Sequence, residues 1–188
     1  MPLPPSIDRD LLHFRDIDCR GYRRSDGLWD IEGHIVDTKS YSYDEPFGKK
    51  VEAGSPVHAM WVRLTIDEEL VIHEAVAVSD VTPYETCQLA APALSRLKGI
   101  KIGPGWWREV QARVGGAVGC THIVELLRPL ATTAFQTLTV LDPYETGMQP
   151  DTPPRWLDSC VAHSSQSPVT KTLFPAYYKG PSTEEETP

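Results

Sequence analysis

A stretch in the first half of the chain carries an aliphatic or methionine side chain at every second position, and it constrains the fold more than any other feature. Its apolar members are Met60, Val62, Leu64 and Ile66. Successive side chains of a β-strand point to opposite faces, so the pattern predicts a strand with one buried face. The run Leu70–Val78, which follows a short acidic link, is rich in β-branched residues and predicts the second strand of an antiparallel hairpin.

An earlier segment, Trp29–Tyr41, has Ile31 and Ile35 separated by polar residues. This spacing predicts a half-buried strand, in which Gly33 marks a bulge or a close approach to the backbone. Together with the hairpin, this strand predicts a three-stranded antiparallel meander.

After about residue 82, the apolar residues begin to recur with helical spacing. The clearest stripe contains Ile123, Leu126, Leu127, Leu130, Ala134, Phe135 and Leu138. It predicts one long helix, in which Pro129 introduces a kink rather than a break. Shorter helices are predicted over Leu89–Leu97 and Pro104–Val114. Strands followed by helices predict the α+β class, with the helices packed on one face of the sheet.

The length of 188 residues is enough for one domain with a sizeable core, and we expect a single α+β domain over residues 7–179. Residues 1–6 contain three prolines and predict a flexible N-terminus. Residues 180–188 form an acidic tail without apolar side chains. Such a tail buries too little surface to offset its ordering entropy, so we expect it to be disordered.

The formal net charge of −8 and the lack of a basic stripe argue against a nucleic-acid partner. No run of about 18 apolar residues occurs, so no membrane span is predicted. The N-terminus lacks the basic start and apolar stretch of a signal peptide, which predicts a cytoplasmic protein. Its four cysteines should then stay reduced, and each is a candidate core thiol, nucleophile or metal ligand.

Cys120 and His122 lie in the segment GGAVGCTHIVELL, at the predicted start of the longest helix. The unpaired N–H groups and the dipole of a helix N-terminus favour a thiolate at this point. A cysteine and a histidine two residues apart can turn toward one centre there. The alternative is a buried thiol with a histidine in the capping region.

Cys87 follows the third predicted strand, and His58 precedes the second. Taken alone, Cys87 is equally well explained as a core thiol, and His58 as a strand-end residue. With Cys120 and His122 they form a set of two sulfur and two nitrogen ligands, which suits tetrahedral zinc or an iron–sulfur cluster.

Two further groups carry ionisable side chains. The segment DGLWDIEGHIVDTK, if it forms a strand, places His34 and Asp37 on opposite faces of the sheet. The simplest interpretation is that its polar side chains form the solvent-exposed face of an edge strand. The alternative is that His34 and Asp37 form an acid/base pair beside a polar pocket. In LDSCVAH, Cys160 and His163 are three residues apart. Core packing is the simpler interpretation there, and a nucleophile or second metal site is the alternative.

Several segments resemble the bacterial family called domain of unknown function 2889, over nearly the whole chain. They are DGLWDIEGHIVDTK, MWVRLTID, PGW, GCTHIVELL, ATTAFQT and LDSC. This resemblance implies no established activity.

A more distant resemblance links the chain to the NifU/SufE-type fold of iron–sulfur scaffolds and sulfur acceptors, in which a three-stranded sheet precedes helices. Ligands in the scaffold branch precede a strand resembling MWVRLTIDEEL, follow the next strand, and open a long helix. The resemblance places His58 near the first position, Cys87 at the second, and Cys120 with His122 at the third. A histidine replaces the first cysteine, and the last pair is not adjacent; both departures favour a mononuclear metal or a bare thiol over a cluster.

These observations leave three hypotheses of function. The first is a zinc, iron or iron–sulfur protein with ligands from His58, Cys87, Cys120 and His122. The second is a metal-free cysteine enzyme or sulfur carrier, with Cys120 as thiolate and His122 or His34 as base. The third is a binding module for a small organic acid or acyl thioester, walled by Trp106 and Trp107. A small molecule or a protein partner is therefore expected.

Overall fold

The computed structural model describes residues 3–46, 48–141 and 152–180. The chain divides into two compact units, Met1–Thr137 and Leu138–Pro188, and each is described by itself. The acidic tail falls almost wholly outside the described residues. Among the helices that the structure describes, none has the length and apolar character needed to cross a membrane.

Within its described residues, the first unit contains six strands in two antiparallel sheets. In chain order they are β1 (His13–Arg23), β2 (Trp29–Lys39), β3 (Tyr43–Asp44), β4 (Lys50–Val51), β5 (Pro56–Ile66) and β6 (Ile72–Val81). The main sheet has the order β1-β2-β5-β6, and β3 pairs with β4 in an excursion between β2 and β5. The α+β class is confirmed, and the main sheet has four strands where the sequence predicted three.

The additional strand is β1, which is exposed along nearly all of its length. Charged residues occupy both of its faces, so it has no apolar alternation that could identify it in the sequence. It pairs with β2 over its full length, from His13 opposite Lys39 to Arg23 opposite Trp29. β2 is therefore an internal strand, and the edge-strand interpretation of its polar face is corrected.

One face of the sheet forms the core. Cross-strand partners lie on the same face, and the pairs Ile31–Leu64 and Ile35–Met60 of β2 and β5 are completely buried. The next pair in this series is Asp37–His58. The apolar face thus ends in a carboxylate and an imidazole, which places two polar side chains at the margin of the core.

The helical half contains a 3₁₀ segment (Glu85–Leu97), α1 (Trp106–Val114) and α2 (Thr121–Leu138). Pro92 lies inside the 3₁₀ segment and cannot donate the backbone hydrogen bond of an α-helix. α2 continues through Pro129 as predicted. A Cβ atom on Gly33 would lie 3.0 Å from Cδ2 of Leu130, so the close approach predicted at this glycine is the packing of α2 against β2.

The second unit contains α3 (Pro168–Leu173). The hydroxyl of Ser167 accepts a hydrogen bond from the backbone N–H of Thr170 and caps the helix. Trp156 packs edge-on against Phe174, with 6.4 Å between ring centroids. These contacts give the unit a small core of its own.

Candidate metal centre

Asp37 is the centre of a row of side chains that crosses three neighbouring strands. Its cross-strand partners are Arg15 on β1 and His58 on β5, so all three point to the core face. The Asp37 side chain is only 1% exposed. Arg15 donates two hydrogen bonds to it, from Nε to Oδ1 at 2.7 Å and from Nη2 to Oδ2 at 2.9 Å. This two-point pairing compensates the buried charge and fixes the plane of the carboxylate.

Two further histidines reach the same carboxylate. Nε2 of His13, which lies two residues before Arg15 on β1, is 3.2 Å from Oδ1 of Asp37. His122, in the first turn of α2, places Nε2 3.4 Å from Oδ2. The start of α2 thus lies over the polar end of the sheet's core face.

His58 and His122 converge on Oδ2 of Asp37 from opposite elements. Nδ1 of His58 is 3.2 Å from that oxygen, and the two imidazole rings stack with 3.7 Å between centroids. Nδ1 of His58 is buried, and within the described residues its contact with Oδ2 of Asp37 is an ion-pair contact that lacks the alignment of a full hydrogen bond. One potential ligand atom from each of Asp37, His58 and His122 lies within 4.8 Å of the others.

This group could hold a metal ion. Ligands bonded to one zinc or iron lie at most roughly 4.2 Å apart, because each bond is about 2.0–2.1 Å long. Both imidazole nitrogens already lie within that range of the Asp37 oxygen. Two imidazoles and one carboxylate are the ligands of catalytic zinc sites and of non-haem iron sites, and three protein ligands leave coordination positions open.

The protonation of two of these residues suits ligation. Burial and the neighbouring His122 lower the pKa of His58, despite the opposing effect of Asp37. Burial alone would raise the pKa of Asp37, but the hydrogen bond from Arg15 and the charges of Arg15, His122 and His13 lower it. Near neutral pH His58 is therefore neutral and Asp37 is ionised, which are the forms that bind a metal ion.

Cys120 lies immediately before α2 and beside His122. Its Sγ is 3.8 Å from Nδ1 of His122. Burial would raise the pKa of the thiol, but the hydrogen-bond contact with the His122 ring and the backbone N–H groups of Ile123 and His122 lower it. The direction agrees with that expected for a thiol at a helix N-terminus.

A pocket of about 530 Å³ adjoins these residues. All four residues of the predicted ligand set line it: His58, Cys87, Cys120 and His122. The two cysteines are not part of the converging ligand group, in which Asp37 takes their place. Asp37 was singled out in the sequence, but as a partner of His34.

The structure does not bring His34 to Asp37. His34 lies on the opposite face of β2 and stacks on Trp61, with 3.8 Å between centroids. Trp106 and Trp107 are absent from the described lining of the pocket, and Trp107 instead packs under the Arg128 guanidinium, 3.7 Å from its ring centroid. In the second unit, Cys160 is exposed.

Sequence reasoning missed Arg15 and His13, because both lie on the unrecognised strand β1. The only signal was their spacing. His13 and Arg15 are two residues apart and share a face once that segment is taken as a strand.

Comparison with known proteins adds one finding. A family model described as "Protein of unknown function (DUF2889)" matches residues 13–136, a range that contains every residue of the metal centre and its pocket. No curated protein and no solved structure matches the chain, so the resemblance to the NifU/SufE-type fold and its iron–sulfur cluster has no support. Because the match covers more than half of the chain, the protein belongs to the family of proteins of unknown function DUF2889.

Proposed function

We propose that this protein binds one zinc or ferrous ion through Asp37, His58 and His122 and uses its open coordination positions on a small molecule in the adjoining pocket. The observation that carries the proposal is the convergence of one ligand atom from each of Asp37, His58 and His122, all within 4.8 Å of one another. The proposal is for a mononuclear ion, because Cys87 and Cys120 lie outside the ligand group.

The hydrogen bonds to Asp37 leave ligand capacity on the two histidines. Arg15 already donates to both oxygens of Asp37, and His13 approaches one of them. Nδ1 of His58 contacts Oδ2 of Asp37 at 3.2 Å without the alignment of a full hydrogen bond, so it can still act as a ligand. A metal ion would satisfy that nitrogen and Nε2 of His122 together, while Asp37 supplies the compensating charge.

The surroundings resemble the outer shell of a metal site. Ligating carboxylates are commonly held by hydrogen bonds, and Arg15 holds Asp37 in this way. A ligating histidine commonly donates its other ring N–H, and the Sγ of Cys120 lies near Nδ1 of His122. Both contacts would orient the ligands before the ion binds.

The pocket indicates the kind of small molecule. None of its described lining residues is Lys, Arg, Asp or Glu, and much of the surface is apolar, including Met60, Leu89 and Val118. A highly charged nucleotide would find no partner there. We propose a small, largely apolar organic molecule with one oxygen donor, which the ion would polarise as a Lewis acid.

The compartment is part of the same proposal. All four cysteines are free. A reducing cytoplasm would keep them so, and we propose that location.

The test is metal analysis of the full-length chain, purified anaerobically without metal-affinity chromatography, followed by titration with Zn²⁺ and Fe²⁺. We expect about one ion per chain and a loss of affinity of about 100-fold or more in His58→Ala and in His122→Ala, since even outer-shell changes cost 10–100-fold. His73→Ala is the matched control, because His73 is exposed and pairs with Asp67, which is not part of the metal centre. It should bind metal like the wild type.

The variant Cys87→Ser distinguishes this ligand set from the one predicted from the sequence, which included Cys87. It should retain the metal, because Cys87 lies outside the converging group. Equal binding by the wild type, His58→Ala and His122→Ala would contradict the proposal, as would metal content at background level in the wild type.

A further inference from the structure

β1 forms one edge of the main sheet, in which its neighbour is β2. Its eleven residues pair with β2 without a shift of register, and all of them except Cys19 are exposed. Open strand edges pair readily with other strands, so natural proteins commonly blunt them with a proline or a bulge. β1 contains neither. We propose that β1 pairs antiparallel with β1 of a second copy of this chain, so that two four-stranded sheets join into one.

The backbone of β1 has hydrogen-bonding groups available along this edge. Two bonds continue the β1–β2 ladder at its ends, from the N–H of Ser40 to the C=O of Leu12 and from the N–H of Arg24 to the C=O of Leu28. Because bonded and non-bonded pairs alternate in an antiparallel ladder, the even-numbered residues of β1 are the ones that bond to β2. The odd-numbered residues direct their N–H and C=O groups away from β2, where a further strand can pair with them.

One register of the two β1 strands sets opposite charges against each other. Asp18 is the middle residue of His13–Arg23, so a pair centred on Asp18 matches all eleven residues. Asp16 of each copy then lies opposite Arg20 of the other, and the two-fold symmetry produces this pair twice. The two Asp18 side chains meet at the centre, but each is already paired with Arg20 of its own chain at 2.7 Å.

The same register brings together the exposed apolar side chains of β1. Phe14 is 54% exposed and Tyr22 is 43% exposed, and each lies opposite the other residue in the second copy. Ile17, which is 37% exposed, lies opposite Cys19. Aromatic pairs and apolar pairs across strands stabilise a sheet. The pairing therefore covers apolar surface that the single chain leaves in contact with water.

Other registers are less favourable. Paired residues must come from the same face of the sheet, so one copy can slide past the other only in steps of two residues. A slide in one direction sets Asp16 opposite Asp18. A slide in the other direction sets Arg15 opposite Arg23; it pairs Asp18 with Arg20 but separates the aromatic residues. Charge and apolar contact thus favour the same alignment.

This interface goes beyond the metal site and needs no ion. The experiment therefore uses the full-length protein with a chelator present, and it measures molar mass by sedimentation velocity over a range of concentrations. We expect a monomer–dimer equilibrium in the wild type. The variants Asp16→Arg and Arg20→Asp should each weaken the dimer about 10-fold or more, because each sets like charges opposite each other at two places. The double variant exchanges the two charges and should dimerise like the wild type.

Asp8→Arg is the matched control for net charge. Asp8 is exposed and precedes β1, so its reversal changes the charge of the chain by the same amount as Asp16→Arg without touching the interface. It should dimerise like the wild type. Circular dichroism establishes that each variant is folded before its dimerisation is compared.

Disulfide formation tests the register directly. In a Cys160→Ser background, which removes an exposed thiol, Phe14→Cys is mixed with Tyr22→Cys under mild oxidation. Directly opposed Cβ atoms lie about 4.5–5.5 Å apart, so the mixture should form a cross-linked dimer that neither variant forms alone at the same rate. Equal rates in the mixture and in the separate variants would contradict the alignment.

Three further results would overturn the proposal. One is a wild type that stays monomeric at the highest concentration measured, as expected if the edge receives an extended segment of another protein instead. Another is a dimer that neither single charge reversal weakens. The third is a double variant that dimerises no better than the single variants. None of these results bears on metal binding, so the two proposals can fail separately.

Discussion

Replacing Asp37 by alanine should lower the free energy of unfolding by about 3 kcal/mol, the lower end for breaking a buried ion pair. The change removes a carboxylate that is 1% exposed and leaves Arg15 and His13 without their acceptor. We take the lower end because the Arg15 side chain remains 37% exposed and can recover some hydration. Urea denaturation of the metal-free protein, monitored by circular dichroism, measures the change.

A pair on the same strand provides the matched control. Asp18 contacts Arg20 at 2.7 Å, but both side chains are at least half exposed. Asp18→Ala should therefore leave the free energy of unfolding almost unchanged. Equal losses in the two variants would contradict the structural importance assigned to the Asp37 pair.

The Asp37 pair should also make the protein sensitive to acid. The folded state lowers the pKa of Asp37, so its contribution to stability is fully present above the unfolded value of about 3.9. That contribution is lost as the pH falls through the lowered pKa of the folded state. Between neutral pH and acid, the free energy of unfolding should therefore fall less steeply in Asp37→Ala than in the wild type.

The sequence predicted the parts of the fold in which burial imposes a regular spacing. The alternation of Met60 to Ile66 became β5, and the apolar stripe that begins at Ile123 became α2. Phe135 is the exception in that stripe, being 38% exposed. In these elements one face packs in the core, so the spacing of the apolar residues in the sequence follows the periodicity of the strand or helix.

β1 could not be predicted in the same way. It lies at the edge of the sheet and is exposed, and charged residues such as Arg15 form ion pairs instead of packing in the core. Arg15 is the clearest case, since its role depends on Asp37, which lies on another strand. A residue whose role depends on a partner far away in the sequence produces no periodic pattern of apolar residues around it.

Only some residues of the metal centre could be predicted from the sequence, because some of its features are local and others depend on strand pairing. Cys120 and His122 were recognisable because the helix start is a local feature. The pairing of Asp37 with His58 depends on the register between β2 and β5, and that register shifts immediately after Asp37. A displacement of one residue would have turned Asp37 to the opposite face, so sequence alone could not choose its partner.

Gly33 and Leu130 offer the sharpest test of how α2 is positioned over the sheet. Leu130→Ala should cost about 2–5 kcal/mol, because Leu130 is completely buried. Gly33→Ala should cost about 1–3 kcal/mol, since its Cβ would lie 3.0 Å from Cδ2 and 3.2 Å from Cγ of Leu130. Both atoms are absent in Leu130→Ala.

In the double variant, the nearest remaining neighbour of the new Cβ is Cδ2 of Leu126, at an ordinary contact distance of 3.4 Å. Gly33→Ala should then cost little, so the double variant should be more stable than the sum of the single changes predicts, by about 1–2 kcal/mol. Leu97→Ala is the control, because Leu97 is equally buried but belongs to the 3₁₀ segment that packs near β6. Its effect should add to that of Gly33→Ala. Additivity with Leu130→Ala as well would mean that α2 does not pack on β2 through this contact, and the placement of His122 over Asp37 would lose its support.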